Sequence, residues 1–202
     1  MNIPNQISLA RIFMTPIIMF FYLATFIPYG KLVALIIYVI AWASDILDGY
    51  LARKYNWVTD LGKLLDPVAD KLLVTTALIL VVADQTIPAP YGVIFLFIMF
   101  LRDYIISGLR QIGATKNVVM AANWMNKVKS WPLYISCCVA IFLAFLQTLG
   151  AQSNVIFGFQ IALYVLLAWG TIMLILSMIV YLIQNWAVLK EEKKPEIKTK
   201  KN

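Results

Sequence analysis

The sequence predicts an all-α polytopic membrane protein: a bundle of six transmembrane helices with a polar cavity facing the cytoplasm. Three observations carry this reading. The 202 residues are 62% hydrophobic and only 13% charged, about half the charged share of an ordinary soluble domain, and the mean hydropathy is +0.82. Apolar runs approaching the roughly 20 residues needed to cross a bilayer recur between turn-rich breaks at Pro28-Tyr29-Gly30, Pro88-Ala89-Pro90 and Gly150–Asn154. Within that apolar background stand four aspartates, Asp45, Asp48, Asp66 and Asp70. An ionised carboxylate at the centre of a membrane helix costs about 2.5–3.5 kcal/mol even on lenient scales, so such residues are kept for function.

The spans fall near residues 7–27, 31–53, 60–83, 90–112, 129–150 and 155–187. Met1–Ala10 reads as a polar lead-in to the first span rather than as a cleavable signal. The third span is amphipathic over Asp60–Lys71, so hydropathy alone undervalues it. One membrane domain over residues 1–189 then precedes a charged tail over 190–202, expected to be disordered and to help fix topology. With both termini on one side, that side holds Arg53, Lys54, Arg110, Lys116, Lys127, Lys129 and the tail, against Lys31 and Asp84 opposite. Basic loops stay cytoplasmic, so both termini and the aspartates are expected at the cytoplasmic face.

Composition also excludes chemistry. Histidine is absent, which removes imidazole acid–base catalysis and the usual zinc sites. Cys137 and Cys138 are adjacent in an apolar run and read as small buried hydrophobes.

Asp45 and Asp48 are three residues apart and share a helix face, which Gly49 and Ala52 continue with almost no side chain. Gly62, Asp66 and Asp70 form a second stripe spaced by four. The short connection over Lys54–Thr59 makes the two helices antiparallel neighbours, so the stripes are expected to face each other. Acids alone cannot neutralise one another, and hard oxygen donors suit Mg²⁺ or Mn²⁺, which take further ligands from substrate phosphates. There are enough carboxylates for two ions clamping a phosphoryl transfer. The small residues leave room for a ligand, and Arg53 can neutralise phosphate. A cation-coupled transporter would also bury acids, but has no need of this combination of acids, glycines and arginine.

These positions resemble the signature of the CDP-alcohol phosphotransferase family: D-x-x-D-G-x-x-A-R, eight residues, then G-x-x-x-D-x-x-x-D, matched by Asp45, Asp48, Gly49, Ala52, Arg53, Gly62, Asp66 and Asp70. The resemblance implies a six-helix membrane enzyme, a homodimer, that displaces CMP from a CDP-linked alcohol. It implies that Asp45, Asp48, Asp66 and Asp70 bind two Mg²⁺ or Mn²⁺ ions and that Asp70 is the base. Asp48, Gly49, Ala52, Arg53 and Gly62 would line the CDP site.

A second basic stretch, RDYIISGLRQIGATKNVVMAANWMNKVKSWP, places Arg102, Arg110, Lys127 and Lys129 toward the cytoplasmic ends of two spans. Burying cations there is costly unless an anion compensates them, which makes these four the candidates for an acceptor phosphate; Lys116 reads as topology only. The stretch and the start Asn2–Arg11 resemble the branch of the family that makes phosphatidylglycerophosphate. Asp103, Asn126 and Ser130 stand where that pattern has Glu, Gly and Thr. This resemblance implies CDP-diacylglycerol as donor and glycerol 3-phosphate as acceptor, in a bacterial plasma membrane and with no nucleic-acid partner. A cardiolipin-forming branch is the alternative acceptor class.

Overall fold

The computed structural model describes residues 2–55, 59–115 and 130–186. These form six long helices: α1 (Ile3–Leu23), α2 (Gly30–Lys54), α3 (Asp60–Ala83), α4 (Ala89–Thr115), α5 (Ser130–Thr148) and α6 (Ser153–Gln184), with no strand among the described residues. Five contain stretches long and apolar enough to cross a membrane, and α3 does not, as its acidic first half leads one to expect. The outer faces expose Phe13, Phe20, Phe97, Trp169 and Ile183, the reverse of a soluble surface and suited to lipid.

The first helix begins four residues earlier than the sequence suggests. Asn2 is extended at its N-cap and Pro4 lies in the first turn, where proline's fixed φ and missing N–H cost nothing. Met1–Ala10 is therefore not a lead-in; from Ile3 it is the opening of α1. Pro16 removes one donor from the helix ladder, and beside it the Thr15 hydroxyl donates to the carbonyl of Arg11 at 3.1 Å.

Three buried stripes explain the packing. On α1, Asn5, Ser8, Arg11, Thr15, Ile18 and Tyr22 recur at helical intervals, and all are buried. On α2 the stripe runs Ala34, Tyr38, Ala41 and then Asp48, with partly exposed Asp45 beside it. On α3 it runs from buried Gly62 through Ala69 and Leu73 to Ala77 and Val81. All three are apolar toward one end of the bundle and polar toward the other. The α1 stripe packs against both of the others, whereas α2 and α3 make few direct contacts. The expected face-to-face pairing of α2 and α3 is thus corrected, because α1 is wedged between them.

Close approach sets the glycines. A Cβ at Gly30 would lie 2.5 Å from the Phe21 carbonyl oxygen, so glycine lets α2 start against the end of α1. α5 and α6 complete the core through Cys137, Ala140, Ile141 and Ala144 on one and Leu163, Leu167 and Leu174 on the other. The cysteines are free, Cys137 buried and Cys138 partly so, as read from the sequence.

Candidate active site

The aspartates meet on α1. Asp45 and Asp48 come from the last turns of α2, and Asp70 lies ten residues into α3, about 15 Å along its axis at 1.5 Å per residue. Between them sits Arg11. Its Nη1 donates to Asp45 Oδ1 at 2.7 Å and to Asp70 Oδ1 at 2.6 Å, and its Nη2 to Asp48 Oδ2 at 2.5 Å. The Arg11 side chain is wholly buried, Asp48 nearly so, while Asp45 and Asp70 keep 29% and 41% of their side chains open. Arg11 and Asp48 form a floor, and the other acids form a rim that a ligand can reach.

Ser8 completes the floor. Its hydroxyl lies 2.5 Å from Asp66 Oδ1 and 3.3 Å from Asp48 Oδ2. A hydroxyl has one hydrogen to give, and the shorter contact places it on exposed Asp66. One turn earlier, Asn5 donates to the Thr59 hydroxyl at 2.9 Å. Thr59 in turn caps α3 by accepting from the Gly62 amide at 3.1 Å. A Cβ at Gly62 would stand 2.7 Å from Asn5 Oδ1. Glycine at this position therefore lets the Asn5 side chain of α1 come close to α3.

The donor set fits a divalent cation in its chemistry, since all four acids offer hard oxygens and three already converge on one cationic group. With the guanidinium between them, no group of three acidic or cysteine side chains among the described residues stands ready to cage a metal. Among the described side chains, four carboxylates against one guanidinium leave an excess of three negative charges in the cluster. Like charges about 4 Å apart repel by about 4 kcal/mol at an effective dielectric of about 20, so that surplus favours further cations.

A cavity of about 200 Å³ opens from Asp70 between α3, α4, α5 and α6, lined by Asp70, Lys71, Met99, Arg102, Asp103 and Tyr134 among others. Arg102 is buried and donates to Asp103 Oδ1 at 2.5 Å; Lys71 approaches the other oxygen of Asp103 at 3.8 Å. Tyr134 stacks on Trp42 of α2 with ring centroids 5.6 Å apart. This wall of aromatic rings lies beside the acids.

Of the candidate acceptor residues, Arg102 lies in this cavity. Arg110 is exposed on α4 and is not among the described lining residues. Lys127 and Lys129 fall outside the described residues, as do the side chains of Ala52 and Arg53, whose backbone belongs to α2. Gly49 is half-buried on α2 beside Asp48. The sequence reading passed over Asn5, Ser8 and Arg11 as site residues. Their signal was available: an arginine inside an apolar span, with polar residues three and six positions before it, is an intramembrane cation awaiting its acids.

These features, six long helices of which five can cross a membrane, with acidic stripes of α2 and α3 gathered at one end, accompany a match over residues 1–189 to the model of the CDP-alcohol phosphatidyltransferase family. The chain belongs to that family. It is similar to several proteins named CDP-diacylglycerol--glycerol-3-phosphate 3-phosphatidyltransferase. The Bacillus subtilis (strain 168) protein is 41% identical over 146 residues, covering 67% of this chain and 74% of that protein. The Rickettsia bellii (strain RML369-C) protein is 33% identical over 158 residues, covering 77% and 80%. The Yersinia pestis (strain Pestoides F) protein is 34% identical over 200 residues, covering 95% and 98%.

Proposed function

We propose that the chain transfers the phosphatidyl group of CDP-diacylglycerol to glycerol 3-phosphate, releasing CMP. One observation carries this beyond the family: the acid cluster and a cavity containing a buried arginine meet at Asp70. A donor diphosphate and an acceptor phosphate can therefore be held on either side of one carboxylate. The acceptor hydroxyl attacks the phosphorus that bears diacylglycerol, the phosphorus–oxygen bond to CMP breaks, and the hydroxyl proton passes to Asp70. A positioned base of this kind contributes about 10²–10⁴-fold in rate.

Asp45, Asp48, Asp66 and Asp70 are proposed to hold Mg²⁺ or Mn²⁺, two ions in all, which when bound would neutralise the donor diphosphate. Arg102 binds the acceptor phosphate from inside the cavity, and Arg110, Lys127 and Lys129 belong to the same proposed basic face. Asp48, Gly49, Ala52, Arg53 and Gly62 are proposed to line the donor site, which their spacing along α2 and α3 supports. The site end of the bundle faces the cytoplasm of a bacterial plasma membrane on the strength of its basic loops. A homodimer belongs to the same proposal, and the oligomeric state in detergent checks it.

The test is CMP release by purified protein from CDP-diacylglycerol, with glycerol 3-phosphate present and absent. Release that requires glycerol 3-phosphate and is abolished by EDTA supports the proposal. Equal release with phosphatidylglycerol would move the chain to a cardiolipin-type acceptor, and no release with either would remove the activity altogether.

A further inference from the structure

Arg11 occupies an unusual position for a residue so thoroughly buried. Its Nη1 bridges Asp45 of α2 and Asp70 of α3, its Nη2 reaches Asp48, and its Nε has no hydrogen-bond partner. A guanidinium in a structural ion pair settles where all its donors are used, because an unfilled buried donor is costly. Here the side chain gives up one donor in order to lie where carboxylates of two helices converge. A cation bonded to the two oxygens that Nη1 engages, Asp45 Oδ1 and Asp70 Oδ1, would have to take that same point. α2 and α3 have few contacts of their own, so the charge of Arg11 ties their acidic ends together.

We propose that Arg11 is an internal stand-in for the divalent cation: it holds the acids of α2 and α3 in place in the metal-free enzyme and is displaced from them when metal binds. This rests on the reading that these aspartates bind divalent cations. An ammonium or guanidinium within 2.7 Å of a carboxylate oxygen and a metal bonded to the same oxygens at about 2.0–2.1 Å cannot share one position. The two cations therefore compete. The metal gains affinity from the two charges it brings against one, and loses some to the work of removing the guanidinium.

The consequence runs opposite to that of an ordinary supporting residue. Removing a residue that merely positions ligands weakens metal binding, whereas removing a competitor strengthens it. Mn²⁺ affinity is measured by titration calorimetry on the full-length protein in detergent, without substrates, together with thermal midpoints in the presence of EDTA or Mn²⁺. Arg11→Gln is expected to bind Mn²⁺ at least tenfold more tightly than the unaltered protein, to melt lower in EDTA, and to gain more from Mn²⁺. Arg11→Lys, which keeps a cation but loses the fork that reaches three carboxylates, should fall between the two. Unchanged or weaker Mn²⁺ affinity in folded Arg11→Gln overturns the proposal. If that variant folds only with Mn²⁺ present, the stand-in role is supported. If it folds in neither condition, Arg11→Lys decides, tighter binding supporting the proposal and equal or weaker binding overturning it. Absence of Mn²⁺ binding by both the unaltered protein and the variants would remove the metal reading itself.

Discussion

At the end of the bundle away from the aspartates of α2, Asp84 accepts hydrogen bonds from the Tyr22 hydroxyl at 2.6 Å, Lys31 Nζ at 2.8 Å, the Thr86 amide at 3.0 Å and the Thr86 hydroxyl at 2.6 Å. One carboxylate faces one ammonium, both of its oxygens are filled twice, and the partners come from α1, α2 and the α3–α4 turn. At the other end, one guanidinium faces three carboxylates, a fourth lies on Ser8, and three of the four acids are open in part. Both clusters join the same three helices. The Asp84 cluster is matched in charge and saturated in hydrogen bonds, as a structural joint should be. Among the described residues the Arg11 cluster is unmatched in charge and part-open, which costs stability unless a further cation supplies the missing charge.

That contrast is most sharply tested at Asp70, where the effect should be largest. Asp70→Asn keeps the shape and a hydrogen-bond acceptor for Arg11 but removes the base, so kcat should fall by at least about 10²-fold with little change in donor KM. Steady-state kinetics with both substrates varied measures it. Near-normal kcat in folded protein would take the base role from Asp70.

Next comes the cavity beyond it. Arg102→Gln should raise the KM for glycerol 3-phosphate by about ten- to a hundredfold, the range of a lost charge-assisted contact of about 1.5–3 kcal/mol, and leave the KM for CDP-diacylglycerol nearly unchanged. Arg110→Gln, at an exposed position, should do less. If Arg110 proves the stronger of the two, the acceptor phosphate sits nearer the rim than the cavity does.

The six helices were legible because apolar runs and Gly/Pro breaks are local signals. The acid stripes were legible because helical spacing puts Asp45 with Asp48 and Asp66 with Asp70. What pairs them was not, because which helix fills the space between α2 and α3 is a matter of packing, and no spacing within residues 45–70 points to α1. Asn5, Ser8 and Arg11 read as a polar N-terminal segment when taken as composition. They become a site stripe only when the helix is known to start at Ile3, a boundary set by Pro4 and extended Asn2. Gly62 shows the same limit: a small residue in a motif signals close approach, but not whether a ligand or another helix approaches.

The matched cluster should respond in stability and not in turnover. Asp84→Asn removes the charge that Lys31 faces, at a part-exposed site, and should cost about 1.5 kcal/mol while kcat stays within about twofold. Burial acts upward on the Asp84 carboxyl, but hydrogen bonds from Lys31, Thr86 and Tyr22 outweigh it and hold it below the ordinary carboxylate range. A lowered folded value means the contribution is fully present above the unfolded value of about 4 and is lost as pH falls through the lower folded value. Thermal midpoints of the unaltered protein should therefore drop more steeply below about pH 4 than those of Asp84→Asn. Parallel curves would show that Asp84 is no better held in the folded bundle than in the unfolded chain.

The smallest effect is expected at Lys71, which stands between the two regimes. It borders the acceptor cavity, next to Asp70 in sequence, yet half its side chain is open and its ammonium lies 3.8 Å from Asp103. An exposed pair at that distance contributes about 0–1 kcal/mol, since water screens it and holding a long side chain in place costs entropy. Lys71→Gln should accordingly change the KM for glycerol 3-phosphate by no more than about fivefold and leave the thermal midpoint nearly where it was. Raising the salt concentration should shrink even that difference, because an exposed charge is screened by ions while buried Arg102 is screened far less. The measurement is the ratio of acceptor KM values, variant to unaltered, at low and high ionic strength. A ratio as large as that for Arg102→Gln, and insensitive to salt, would mean that Lys71 turns inward onto the bound phosphate. The cavity would then resemble the acid cluster in using a rim residue as a direct ligand.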